Sequence, residues 1–217
     1  MTFELFDSVA DNAGSRLALD AGAMVLRGFA LVSVDSLLAD IGAAVTRAPF
    51  RHLVTPGGFP MSVAMTNCGP LGWVSDRRGY RYDAVDPDSG ERWPPMPASF
   101  RVLANAAATT AGFAPFAPDA CLINRYVAGA RLTLHQDRDE HGFDAPIVSV
   151  SLGLPATFLW GGLARNDRTV RVPLVHGDVV VWGGPSRMRF HGVSPLKDGR
   201  HPLLGAQRIN LTFRRAA

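Results

Sequence analysis

Two cysteines, Cys68 and Cys121, are all the chain contains, too few for a disulfide framework and in keeping with a reducing compartment. Lysine is nearly absent: of 22 basic residues all but Lys197 are arginine. Arginine suits phosphate recognition, and a genome with arginine-favouring codons gives the same bias. No apolar run approaches the roughly 20 residues of a membrane helix. Glu4 and Asp7 lie in the first ten residues with no basic stretch leading into an apolar one, so no export signal is read and a cytoplasmic location is expected. Internal repeats and low-complexity segments are lacking, which excludes a solenoid. What remains is a chain of 217 residues, 47% hydrophobic and 19% charged, long enough for one domain with a real core. A net charge of +3 permits a polyanionic partner without requiring one.

In chain order, Ala23–Phe29 reads as a first strand, and Ser33 as the N-cap of a helix carrying Leu37, Leu38, Ile41, Ala44 and Val45 at helical spacing as far as Ala48. Short extended pieces around Pro56-Gly57-Gly58 predict a hairpin. Residues 69–97 form a long polar stretch with Trp73, Tyr80, Tyr82 and Trp93 among Arg77, Arg78 and Arg81. It is either a surface loop pinned by its aromatics or a binding lid, in which rings stack on bases and arginines meet phosphate. Pro97–Gly112 reads as a second helix. Short strands with Gly and Pro turns follow to the end of the chain. About eight strands after two helices predict a mainly β architecture, a jelly-roll barrel braced by N-terminal helices.

Chemistry concentrates in Leu134-His135-Gln136-Asp137. If extended, the segment puts His135 and Asp137 on one face about 7 Å apart. Such a pair is either a surface couple or two ligands of a 2-His-1-carboxylate iron site. Among the remaining histidines, His191 lies in an extended apolar context and is favoured as third ligand. His176-Gly177-Asp178 has the same spacing, but Gly177 reads as a turn, and His141 follows a charged run. In the final strand Ile209, Leu211 and Phe213 alternate with Arg208, Asn210, Thr212 and Arg214. The polar face looks either to water or into the barrel. In the second case Arg208 and Arg214, about 20 Å apart along the strand, leave room for a short dicarboxylate held by planar guanidinium forks.

Together these residues resemble the Fe(II)- and 2-oxoglutarate-dependent dioxygenases. Within them, Val54–Gly58, Ser62–Gly69, Pro118–Tyr126 and Asn210–Arg214 are similar to the AlkB-type nucleic-acid demethylases, a likeness running from about Ala21 to Arg214. The resemblance implies a double-stranded β-helix with a nucleotide-recognition lid, divided into a lead-in at 1–20, helices plus lid at 21–115 and the oxygenase barrel at 116–217. It implies that His135, Asp137 and His191 hold Fe(II), and that Asn124, Arg125, Tyr126, Arg208, Asn210, Thr212 and Arg214 hold 2-oxoglutarate, with O2 as the other co-substrate. Trp73, Tyr80, Arg81, Tyr82, Asp139 and Arg165 would meet the substrate, with Trp73 and His191 sandwiching a flipped base. The implied reaction is oxidative demethylation of bases such as 1-methyladenine and 3-methylcytosine. The implied partner is methylated DNA, single-stranded by preference, and RNA as a further substrate. A monomer with no membrane and no obligate protein partner is expected. Local departures from the pattern are Arg138, Leu159-Trp160 and the insert His141–Asp144. Two other readings stay open: a dioxygenase of another substrate class, and a cupin-like binding module without turnover.

Overall fold

The computed structural model describes residues 13–217. Eight antiparallel strands make the larger sheet, in the order β1 (Arg16–Asp20), β2 (Ala23–Leu26), β12 (Val179–Trp182), β9 (Ile147–Gly153), β14 (Arg208–Arg214), β7 (Ala120–Tyr126), β4 (Pro60–Cys68) and β3 (Arg51–Val54). A smaller sheet orders β11 (Val170–Leu174), β10 (Ala156–Trp160), β13 (His191–Val193) and β8 (Leu132–His135). The strand pair β5 (Gly72–Asp76) and β6 (Gly79–Asp83) stands apart from both. Of the lead-in expected over 1–20, residues 1–12 lie outside the described residues and Arg16–Asp20 is an edge strand.

Helices α1 (Val34–Arg47) and α2 (Ala98–Thr110) cover one face of the larger sheet. Leu37, Ile41 and Ala44 of α1 and Phe100, Leu103, Ala104 and Ala107 of α2 meet Ile209, Leu211 and Phe213 of β14. Truncating any of the large residues here, Leu37→Ala for instance, would cost about 2–5 kcal/mol. Ser33 occupies the position before α1, but its side chain makes no capping hydrogen bond; a 3-10 turn at Leu31–Ser33 leads in instead. At the far end of α2, Gly112 takes φ +87°, the left-handed conformation that ends a helix without strain for glycine.

The opposite face of the larger sheet packs on the smaller one through Ile147, Phe158, Val172, Val180, Trp182 and Val193. Strand alternation therefore sends the apolar half of β14 to the helices. Its polar half, Arg208, Asn210, Thr212 and Arg214, goes between the sheets. All four are under 10% exposed, which removes the reading in which they face water.

The stretch expected as a long polar loop is a hairpin, β5–β6, closed by a two-residue turn at Arg77-Arg78. Trp93 is not part of its exposed surface. It is buried against Ala48 and Val74, its Nε1 donating to the Asp83 carbonyl at 2.9 Å and Arg51 lying over its ring. Trp93 fills the space beside Gly72, where a Cβ would come within 2.4 Å of the indole.

Candidate active site

Strands β8 and β13 pair with His135 directly opposite His191, which brings the imidazole centroids to 4.4 Å. Each ring is oriented by its own backbone. His135 Nδ1 lies 2.8 Å from the Thr133 carbonyl and His191 Nδ1 lies 3.0 Å from that of Arg189. A carbonyl can only accept, so both Nδ1 atoms carry the proton and both Nε2 lone pairs are free. Asp137 lies just past the end of β8 with Oδ1 at 3.7 Å from His135 Nε2 and Oδ2 at 3.7 Å from His191 Nε2. The three donor atoms fall within 4.8 Å of one another and border the cavity between the sheets.

Protonation favours a metal as well. Burial would raise the Asp137 carboxyl, yet the Arg214 guanidinium, with His191 and His135, holds it well below the usual carboxylate range. Burial, together with the neighbouring His135, takes His191 down to about 3 against the pull of Asp137. The site thus presents an anionic carboxylate and a neutral imidazole, the forms that ligate metal. Two nitrogens and one oxygen on one side, with an open cavity on the other, fit Fe(II) with positions left for small co-substrates.

The cavity is about 780 Å³ and reaches from the three ligands down to β7 and β14. At its inner end Arg208 is 1% exposed. Its Nη2 donates to Ser151 Oγ at 2.9 Å and its guanidinium lies over the Tyr126 ring, but Nε and Nη1 have no partner. Two buried N–H donors without acceptors call for an anionic ligand, since such groups are otherwise paired. Beside them Asn210 donates to Ser149 Oγ and the Val150 carbonyl and accepts from Thr212 Oγ1. Asn124 Oδ1, also buried, stays unpartnered. Burial raises the Tyr126 phenol, with Arg208 opposing, so it remains a neutral donor. Arg208 Nε and Nη1 and the Tyr126 hydroxyl are the donors at this end, and they fit one carboxylate of 2-oxoglutarate.

Not every residue expected here belongs to the cavity. Arg125 alternates onto the other face of β7, its guanidinium over Phe50 at 4.8 Å. Arg214 does border the cavity, but Nε and Nη2 both donate to Asp137 Oδ2, at 3.0 and 2.8 Å. His176-Gly177-Asp178 is structural. The Asp178 carboxylate is fully buried, ion-paired to Arg27 and bonded to the amides of Gly28 and Val175, and Gly177 makes the expected turn at φ +88°.

Over the mouth, Trp73 and Tyr80 stack with centroids 5.6 Å apart and planes 13° from parallel. They are diagonal neighbours across the hairpin, where such rings reach one another. The amide of buried Asn67 fixes the Trp73 backbone, donating to its carbonyl and accepting from its N–H at 3.0 Å each. The indole N–H of Trp73 donates to Asp139 Oδ2 at 2.8 Å. Trp73, Tyr80, Asp139 and Arg165 border the same cavity as His191. Arg81 and Tyr82 do not. Arg81 pairs with Asp76 and Asp83, and the Tyr82 hydroxyl donates to Glu140 Oε1 at 2.9 Å. Burial raises the Tyr82 phenol, which keeps that proton in place. Glu140 and Arg187, both buried behind Asp137, were not legible as site residues. Glu140 sits in the charged run Arg138–Glu140, which reads as a turn, and Arg187 stands in a Gly/Pro-rich link with no periodicity.

The profile of the 2OG-Fe(II) oxygenase superfamily matches residues 22–214. The chain is 56% identical to the alpha-ketoglutarate-dependent dioxygenase AlkB of Salmonella typhimurium, over 98% of this chain and 99% of that protein. It is 46% identical to an AlkB homologue of Caulobacter vibrioides, over 83% of this chain and 81% of that one. A mouse protein named nucleic acid dioxygenase ALKBH1 is 33% identical over 57% of this chain, which spans 31% of that protein. The solved structure of OsALKBH1 superposes with a TM-score of 0.82 at 30% identity, covering 93% of this chain and all of that one. A match sustained along nearly the whole length settles kinship, and the chain belongs to the AlkB family of alpha-ketoglutarate-dependent dioxygenases.

Proposed function

We propose that the protein is an oxidative demethylase that repairs N-alkylated bases, of the 1-methyladenine and 3-methylcytosine type, in nucleic acid. The observation that carries this reading is the indole of Trp73, bonded to Asp139, in the same cavity as His135, Asp137 and His191. A flat face beside an acceptor is what a cationic methylated base needs, since the ring stacks on the indole and its charge meets the carboxylate. Kinship with a protein named nucleic acid dioxygenase supports the same substrate class. Fe(II) held by His135, Asp137 and His191, with 2-oxoglutarate and O2, supplies the oxidation of the N-methyl carbon, so that formaldehyde, succinate and CO2 leave with the restored base.

The chain's own residues do the positioning. Arg208, Asn124 and Tyr126 bind the co-substrate from the inner end. Arg214 holds the Asp137 carboxylate in place. Trp73 and His191 enclose the target base, Tyr80 backs the indole by stacking on it, and Arg165 borders the same cavity. A base must leave the stack to enter, and a methyl group on a pairing nitrogen weakens pairing and so lowers that cost. Single-stranded DNA is therefore the preferred substrate, with RNA also accepted, and the enzyme works as a monomer without an obligate protein partner. Among the described residues no helix is long and apolar enough to cross a membrane. Two free, buried thiols at Cys68 and Cys121 suit the cytoplasm.

Incubation with Fe(II), 2-oxoglutarate and a 3-methylcytosine oligonucleotide tests the reading. Formaldehyde release with restored cytosine is expected. Succinate without base repair would point to another substrate class, and no turnover would favour a binding module.

A further inference from the structure

The ligand Asp137, at 9% exposure, is part of a buried cluster of four charged side chains with Glu140 at 6%, Arg187 at 3% and Arg214 at 7%. Arg214 donates twice to Asp137 Oδ2 and its Nε lies 3.3 Å from Glu140 Oε1. Arg187 Nη2 stands 3.1 Å from Glu140 Oε2, an ion pair too oblique for an aligned hydrogen bond. Arg187 Nη1 donates to the backbone carbonyl of Asp137 at 2.8 Å. Two cations and two anions thus close a ring of zero net charge. Phe143, from the insert after Glu140, lies against the guanidinium of Arg187 at 5.2 Å.

We propose that the Arg187–Glu140 pair is a positioning brace for the iron site. Asp137 lies beyond the end of β8, where no strand ladder fixes its carbonyl, and Arg187 supplies that fixation. Glu140 Oε1 lies 3.3 Å from the same Arg214 Nε that donates to Asp137 Oδ2, and so steadies the guanidinium where it meets the ligating carboxylate. Through Tyr82, whose hydroxyl donates to it, the Glu140 carboxylate is tied to the hairpin that carries Trp73 and Tyr80. One buried pair therefore joins the recognition hairpin to the metal ligand. The inference rests on His135, Asp137 and His191 being the iron ligands. Partners that orient a ligating side chain are worth about 10- to 100-fold in metal affinity.

Mn(II) titration of the metal-free protein, followed by electron paramagnetic resonance without co-substrate or nucleic acid, tests the brace apart from turnover. Arg187→Lys keeps the charge, but a point charge cannot span the Asp137 carbonyl and Glu140 as the guanidinium fork does. Mn(II) binding about 10-fold weaker or more is expected. The double variant Arg187→Met with Glu140→Met removes both charges at once and leaves neither unpaired. It should melt close to the wild type yet bind Mn(II) about 10- to 100-fold more weakly. Wild-type Mn(II) affinity in either folded variant would overturn the brace. A double variant melting far below the wild type would also overturn it, by showing that the pair holds the fold rather than the site. Asp137→Asn is the control. If it binds Mn(II) as the wild type does, the ligand assignment falls and the brace with it.

Discussion

Arg208→Met separates a residue kept for a ligand from one kept for the fold. Arg208 is 1% exposed, with Nε and Nη1 unpartnered and one hydrogen bond to Ser151. A carboxylate accepting from both free N–H groups gains two charge-assisted hydrogen bonds at about 1.5–3 kcal/mol each. Their loss should weaken 2-oxoglutarate binding about 10²- to 10⁴-fold, at tenfold per 1.4 kcal/mol. Without co-substrate the sign reverses. A desolvated cation short of partners costs several kcal/mol, and the Tyr126 face offsets only about 1–2 kcal/mol of that. Met matches the length of the stem without the charge, so the variant should be as stable as the wild type or about 1–2 kcal/mol more stable. Thermal melts with and without 2-oxoglutarate, alongside calorimetric titration, read both effects. At a co-substrate concentration of about 100 times the wild-type Kd the wild type gains about 2.7 kcal/mol, and the variant should gain about 0.4 kcal/mol or less at that concentration. Unchanged 2-oxoglutarate affinity, or a melting temperature that falls without co-substrate, would refute the reasoning.

Acidification of the metal-free protein should erode its stability from pH 6.5 downward. The unfolded chain binds a proton at His191 near 6.5 and the folded chain only near 3, so unfolding takes up the proton across that window, at up to about 1.4 kcal/mol per pH unit. Urea midpoints between pH 7 and 4 read the slope, and His191→Gln should reduce it, leaving the part that His176 contributes because burial takes it down to about 4. Asp137→Ala should abolish turnover in a chain that still folds, and should lower stability by about 3 kcal/mol, because Arg214 loses its main partner; retained activity would remove Asp137 from the ligand set. Trp73→Ala should raise KM for a methylated oligonucleotide by about 10-fold or more, the value of one lost stacking face, while turnover of 2-oxoglutarate without nucleic acid persists. Oligonucleotide affinity should fall as salt rises, because phosphate contacts release counterions; a salt-independent affinity would count against the lid assignment.

Local pattern carried much of the site. The period-2 alternation of β14 places Arg208, Asn210, Thr212 and Arg214 on one face, and the pairing of β14 between β7 and β9 turns that face inward. The same rule excludes Arg125, one residue out of phase with Asn124 and Tyr126, whose guanidinium lies over Phe50. Residues 69–97 misled because a short hairpin rich in Arg, Tyr and Gly has little apolar alternation to mark it. Trp93 looks like a lid residue until the backbone brings it beneath Gly72.

What the sequence determined alone is the set of chemical types: two H-x-D pairs, a histidine in an apolar strand, two arginines on one polar face and aromatics with arginines in a Gly-rich stretch. These are local because side-chain direction along a strand depends only on its period. Tertiary structure decided which of those groups meet. Register between β8 and β13 sets His135 against His191. Burial separates Arg208, with N–H groups to spare, from Arg214, which Asp137 and Glu140 already occupy. Glu140 and Arg187 join the site only because residues 47 positions apart in a charged turn and a Gly/Pro link are folded against each other behind Asp137. Coulomb attraction in a buried cluster depends on distance in space, and spacing along the chain does not encode that distance.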